Sequence, residues 1–366
     1  MREKRISGVE VLACDLTSER QYGIDLLRII SMCGIIGLHV INRGGVLAYS
    51  DESTLTIQGI RFIAIICYCS VNVFAMISGW LYVGQSIKYK KIRKLWVIVF
   101  FYCILITFFA YCIRPEIFFD KKIWIKGFFP ELYGRYWYIV CYTFLFLMMP
   151  FLNKFISAVS QKELEKFLLT GFVLLSVIPI VTLSRISFGI SSGYSPFWLI
   201  YCYIVGAYFK KYDEKKQKSV PIYFIGNVLM VLLYWNVSLY INKVYEFALE
   251  PALLAQYISP FMLANAVILL RFFGKMHIQN SGLKRLVLSA SNAAFGVYII
   301  HCHLIIFDYF LWDAFKWIPS KNVLVAIAST LCSIILIYLT CWFVDIIRKR
   351  VFQICSNVLG TFNAKV

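Results

Sequence analysis

The sequence predicts an all-α, polytopic membrane protein of about ten transmembrane helices with both termini cytoplasmic. Three observations carry that reading. Of the 366 residues, 60% are hydrophobic and the mean hydropathy is +0.73, far above the balance of a water-soluble domain. Apolar runs long enough to cross a bilayer recur along the chain, and only helices satisfy every backbone group within such runs. A transmembrane barrel would show short alternating segments instead. Finally, with the N-terminus inside, about two thirds of the 37 Lys and Arg fall in inner segments, as the positive-inside rule requires.

The elements follow in order. Residues 1–20 (MREKRISGVEVLACDLTSER) form a polar cytoplasmic arm with no apolar core before a cleavage site. No cleavable signal peptide is expected, so the first helix serves as the insertion signal. Spans are expected near 22–42, 57–83, 95–113, 136–153, 167–184, 196–209, 220–241, 257–273, 286–312 and 323–347. Five basic residues in 84–94, three in 154–166, five in 210–218 and four in 271–285 mark the inner connections. The outer loop 114–135 mixes aromatic and basic residues and is expected to lie along the interface as a short amphipathic stretch. The membrane domain then covers 21–347, and 348–366 is a cytoplasmic tail. The net charge of +18 anchors the chain to an anionic leaflet and carries no sign of nucleic acid.

Two titratable groups stand out in the first span, YGIDLLRIISMCGIIGLHVI. Arg28 and His39 are eleven residues apart, about three helical turns, so both lie on one stripe roughly 16 Å apart. Charge in hydrocarbon is expensive, and that stripe is expected to face a protein interior or a wet cavity. Asp25, one turn before Arg28, can pair with it. His39 lies roughly 26 Å along the helix from Tyr22, toward the outer leaflet, where a neutral imidazole can take a proton from a hydroxyl. Asn72 through Trp80 close the second span, and their Ser78-Gly79 pair lets another helix or a ligand approach the backbone. The basic cluster that follows can hold a phosphorylated donor or act only as a topology signal.

The cysteines are scattered and form no C-x-x-C pair. His301-Cys302-His303 has metal-ligating residue types, but neighbours on a helix point about 100° apart, so at most two share a site. No metal is expected. His303 and Asp308 spell H-x-x-x-x-D, yet on a straight helix they lie about 140° apart and do not pair.

Together these segments resemble the bacterial acyltransferase-3 family, whose hallmark is an arginine, ten residues, then a histidine. Arg28 to His39 resembles that motif, and VNVFAMISGWLYVG its Ser-Gly-aromatic segment. KKIRKLW is similar to its basic stretch, and Tyr136-Trp137-Tyr138 with Tyr142 and Pro150 to its Trp-aromatic helix. Leu199 to Gly206 is similar to its Tyr-rich segment, and SNAAFGVYIIH to its penultimate helix. The resemblance runs in the family's order from residue 21 to about 345.

It implies a membrane enzyme of the bacterial plasma membrane. Such an enzyme moves an acyl group, usually acetyl, from cytoplasmic acetyl-CoA to a hydroxyl of a cell-envelope polysaccharide or its lipid-linked precursor. His39 is then the catalytic histidine with Arg28 as partner, and Lys91, Arg93 and Lys94 hold the CoA phosphates. Asn72, Ser78, Gly79, Trp80, Tyr136, Trp137, Tyr298 and His301 are the implied substrate-binding residues. Lys91 and Lys94 stand where the family usually has arginine, and Trp80 where it usually has tyrosine. The expected partners are the acyl-CoA donor, the glycan and the bilayer, with room for a homodimer. The alternative is a transporter or flippase of a lipid-linked or glycan substrate, with the intramembrane Arg and His as coupling groups.

Overall fold

The computed structural model describes residues 20–49, 54–118, 120–129, 134–213 and 220–363. Most of the arm expected over 1–20 lies outside the described residues. Among the described residues the chain is helical and contains no strand. Its helices are α1 (Tyr22–Leu38), α2 (Leu55–Tyr68), α3 (Ser70–Tyr82), α4 (Lys90–Ile113), α5 (Pro115–Phe118), α6 (Lys121–Phe128) and α7 (Trp137–Ala158). There follow α8 (Gln161–Phe172), α9 (Ile178–Val181), α10 (Pro196–Tyr212), α11 (Val220–Tyr245), α12 (Pro260–Gly274), α13 (Ser281–His301) and α14 (Val323–Asn363).

Among the described residues, nine helical segments are long and apolar enough to cross a membrane. The remaining expected span, 196–209, is α10, which has only 17 residues. Its middle is well enclosed: Trp198, Tyr203 and Ala207 are fully buried. Small residues explain how closely it packs. A Cβ on Gly79 of α3 would come within 1.9 Å of the Tyr203 carbonyl oxygen, and one on Gly206 within 2.1 Å of that of Met76. The two backbones therefore touch, as glycine allows between membrane helices. Gly79 serves a helix crossing.

Two spans differ from the sequence expectation. The run 286–312 is not one helix, because α13 ends at His301. The His301 ring bonds the Val297 carbonyl one turn back, and the chain closes with Cys302 N–H to Tyr298 O and His303 N–H to Ile300 O. A π-helical turn, Ile306–Phe310, then brings Phe307 and Asp308 back toward the bundle. At the other end, α14 continues past 347 into the segment expected to be a tail.

Loop 114–135 folds into α5 and α6 where it is described. Gly127 packs against Thr107 of α4, and its carbonyl lies 3.2 Å from His303 Nε2. One intramembrane cation was not singled out from sequence. Arg61 of α2 is buried, donates to Asn236 Oδ1 of α11 at 3.1 Å, and faces the Trp235 ring. Asn236 also exchanges two amide hydrogen bonds of 2.8 Å with Gln58. This polar clamp holds α2 to α11, and its hydrogen bonds offset the cost of burying the guanidinium.

Candidate active site

Helix α1 supplies both ends of the site. Near its start, Asp25 is buried and accepts from Arg20 at 2.7 Å, Arg28 at 2.9 Å and Ser291 Oγ at 2.8 Å. Arg28 also reaches Ser291 Oγ at 2.7 Å, so α1 and α13 are tied by one network. Two guanidinium groups against one carboxylate leave a net positive charge. Arg28 faces a cavity of about 390 Å³, lined also by Ser78, Tyr82, Tyr138, Tyr142 and Tyr298.

At its far end α1 widens into a π-helical turn, His39–Arg43. Such turns re-aim side chains and recur at functional sites. Up to His39 the backbone is α-helical, so the stripe argument for Arg28 and His39 holds over its whole length. His39 faces a second cavity, of about 480 Å³, with Arg43, Arg135, Trp137, Tyr257 and Phe307 among its lining. Tyr298 lines both cavities and stands between them. Its hydroxyl is buried and makes no hydrogen bond of ordinary geometry among the described residues, though the first-turn amides of α7 at Tyr138 and Ile139 face it.

The imidazole chemistry is fixed by one carbonyl. His301 Nδ1 lies 2.6 Å from the Val297 oxygen, which can only accept, so Nδ1 carries the proton and Nε2 the lone pair. His39 Nδ1 is 3.1 Å from that Nε2 and therefore donates to it. The remaining ring nitrogen of His39, Nε2, is left with its lone pair. A general base needs this tautomer, and His301 enforces it much as a carboxylate does in other enzymes. Cys302 Sγ sits 3.3 Å from His301 Nε2 and 3.8 Å from His39 Nδ1.

Charged groups rim the second cavity. Asp308 accepts from Arg43 and, at 2.6 Å, from Arg135. The Arg43 guanidinium lies 3.4 Å above the Trp312 ring, and both guanidiniums face Phe307 at 5.3 and 5.5 Å. One carboxylate against two guanidiniums again leaves positive charge.

The residues singled out from sequence divide into two sets. Arg28, Ser78 and Tyr298 line the first cavity; His39, Trp137 and Tyr298 line the second; His301 orients His39. The others are engaged elsewhere. Asn72 is fully buried and outside both linings, its amide spent on the Tyr257 carbonyl at 2.7 Å and the Trp198 indole at 2.8 Å. It positions Tyr257, which does line the second cavity. Tyr136 donates to the Ile299 carbonyl at 2.7 Å and braces α13. Trp80 donates to Gln21 Oε1 and stacks under Lys210. Lys91, Arg93 and Lys94 are exposed at the start of α4. Lys91 Nζ lies 4.7 Å over the Tyr82 ring, itself part of the first cavity.

Arg43, Arg135, Asp308 and Cys302 were not singled out as site residues. Arg43 and Arg135 sit at span ends and read as topology charges. His303 and Asp308 indeed do not pair, but the reason is the break after His301 rather than a straight helix. An acidic residue within LIIFDYFLW was the available signal, because an aspartate there demands a cationic partner.

The apolar helices thus enclose a histidine pair at the second of two cavities that meet at Tyr298. The chain matches the family model described as an acyltransferase domain, acyltransferase-3, over residues 21–342, and it belongs to that family. No curated protein and no solved structure matches it.

Proposed function

We propose that this protein is a membrane O-acyltransferase that moves acetyl from cytoplasmic acetyl-CoA to a hydroxyl of a cell-envelope polysaccharide or its lipid-linked precursor. The observation that carries the proposal is the hydrogen-bond relay Val297 O, His301, His39, which leaves His39 Nε2 as a base at the second cavity. In this reading both termini are cytoplasmic in a bacterial plasma membrane. The exposed Lys91, Arg93 and Lys94 then meet the CoA phosphates at the mouth of the first cavity. The thin pantetheine arm runs past Arg28 toward Tyr298.

The acceptor enters the second cavity, where Trp137, Tyr194, Tyr257 and Phe307 offer flat faces to a sugar. The surplus guanidinium charge of Arg43 and Arg135 suits an acceptor that carries phosphate or carboxylate. His39 Nε2 takes the hydroxyl proton as the oxygen attacks the thioester carbonyl. The Tyr298 hydroxyl donates to the oxyanion that forms. Collapse breaks the carbon–sulfur bond, and His39 returns its proton to the departing thiolate. The products are the acetyl ester and free CoA.

The test is transfer of labelled acetyl from acetyl-CoA to isolated envelope glycan by the purified protein. H39A is expected to abolish transfer while remaining folded in detergent, and mass spectrometry of the glycan should lose the acetyl increment. Full activity in H39A rejects the assignment.

A further inference from the structure

We propose that His39, His301 and Cys302 form a binding site for a zinc-class divalent ion, and that the ion and the proton relay exclude one another. The three donor atoms, His39 Nδ1, His301 Nε2 and Cys302 Sγ, lie within 4.8 Å of one another. Zinc bonds of about 2.05 Å to nitrogen and about 2.3 Å to sulfur place tetrahedral neighbours about 3.4 Å apart for two nitrogens and about 3.6 Å for nitrogen and sulfur. The distances found are 3.1 Å between the nitrogens, and 3.3 and 3.8 Å from sulfur to nitrogen. Each is within about 0.3 Å of the tetrahedral value.

His301 Nε2 offers one in-plane lone pair, which the His39 Nδ1 proton takes, so the Cys302 sulfur 3.3 Å from the same nitrogen is left without a share of it. A divalent ion satisfies all three atoms at once. The outer ring atom of His301 is already held by the Val297 carbonyl, the support that metal-bound histidines require. A buried thiolate is costly by itself, but the ion reverses that by its own charge and releases the thiol proton on binding. His39 and Cys302 both line the second cavity, which gives the ion an entry path and an open fourth position. Sequence spacing set zinc aside because three consecutive residues cannot share one site. Here only two of them do, and the third ligand comes from the π-helical turn that follows α1, 262 residues away from His301.

The consequence rests on the proposed role of His39. When His39 Nδ1 ligates the ion its proton moves to Nε2, so the lone pair proposed to act as base is taken up, the relay is lost and zinc inhibits transfer. The test loads the purified full chain in detergent with Zn²⁺ or Co²⁺ and measures bound metal directly. We expect one ion per chain, a tetrahedral cobalt spectrum with a thiolate charge-transfer band, and no binding of Mg²⁺. C302S should lose that band, and H301A should weaken zinc affinity at least ~100-fold. Zinc should inhibit labelled-acetyl transfer, with a chelator restoring it. No bound metal above the level of the H301A/C302S double variant overturns the site, as does a cobalt spectrum without the thiolate band. If metal binds as expected while H39A still transfers acetyl, the site stands and the catalytic reading of His39 falls.

Discussion

His301→Ala tests whether a neutral imidazole can serve as the orienting partner of a membrane base. Among the described residues His301 Nε2 is the nitrogen that accepts from His39 Nδ1, at 3.1 Å, and His301 is buried. Removing a buried partner costs about 1–3 kcal/mol. If that loss is expressed in the transition state, at about 1.4 kcal/mol per tenfold, the rate falls about 5- to 150-fold. Loss of the base itself, in H39A, removes general base catalysis worth about 10²–10⁴. H301A should therefore fall between wild type and H39A in kcat, with the KM for acetyl-CoA unchanged. His301→Gln keeps a carbonyl oxygen able to accept from His39 Nδ1 and should recover most of the rate. The assay is the initial rate of labelled-acetyl transfer in detergent, with a thermal melt to verify folding. Wild-type kcat in H301A, or H301Q no faster than H301A, refutes the relay.

Tyr298→Phe should leave the melting temperature unchanged or raise it, because the hydroxyl removed has no well-formed hydrogen bond among the described residues. Its kcat should drop about 10²–10³, and an unchanged kcat removes Tyr298 from oxyanion stabilisation. Gly79→Ala should destabilise the fold by about 1–3 kcal/mol, since its methyl group meets the Tyr203 carbonyl; a melt equal to wild type refutes the close crossing of α3 and α10. Asp213, beyond the end of α10, is opposed by burial, but its bonds to Arg271 and Lys275 outweigh that and hold its pKa below the usual 3.8. Its contribution to stability is present above that ordinary value and is lost as pH falls through the lower folded one. Asp213→Asn should therefore lower the melting temperature at neutral pH, and the gap to wild type should close in strong acid. A gap independent of pH contradicts the ion-pair reading.

The membrane class was legible because hydropathy and basic residues act over whole segments and tolerate local error. The Asp25–Arg28 pair was legible too, since three residues on a helix bring side chains together, and they bond at 2.9 Å. What the spacing did not reveal was Ser291 as their shared partner, 263 residues from Arg28. His39 was visible from its stripe, but its tautomer depends on a carbonyl in α13 that no local pattern reports. Asn72, Gly79, Trp80 and Tyr136 belong to recognisable segments, yet their side chains or backbones are committed to neighbouring helices. The motif segments therefore mix residues that line the cavities with residues that hold those in register. Asp308 and its two arginines were hidden by the chain reversal after His301, which an apolar run does not announce.

The single ring of Tyr298 between the two cavities has a consequence for the cell that hosts this protein. An enzyme that hands a carbonyl across a bilayer is built around a passage, and a passage leaks protons unless something plugs it. On the proposed mechanism the ring that separates the two cavities is also where the two reactants meet, so a smaller residue there is expected to open a proton leak as well as to alter transfer.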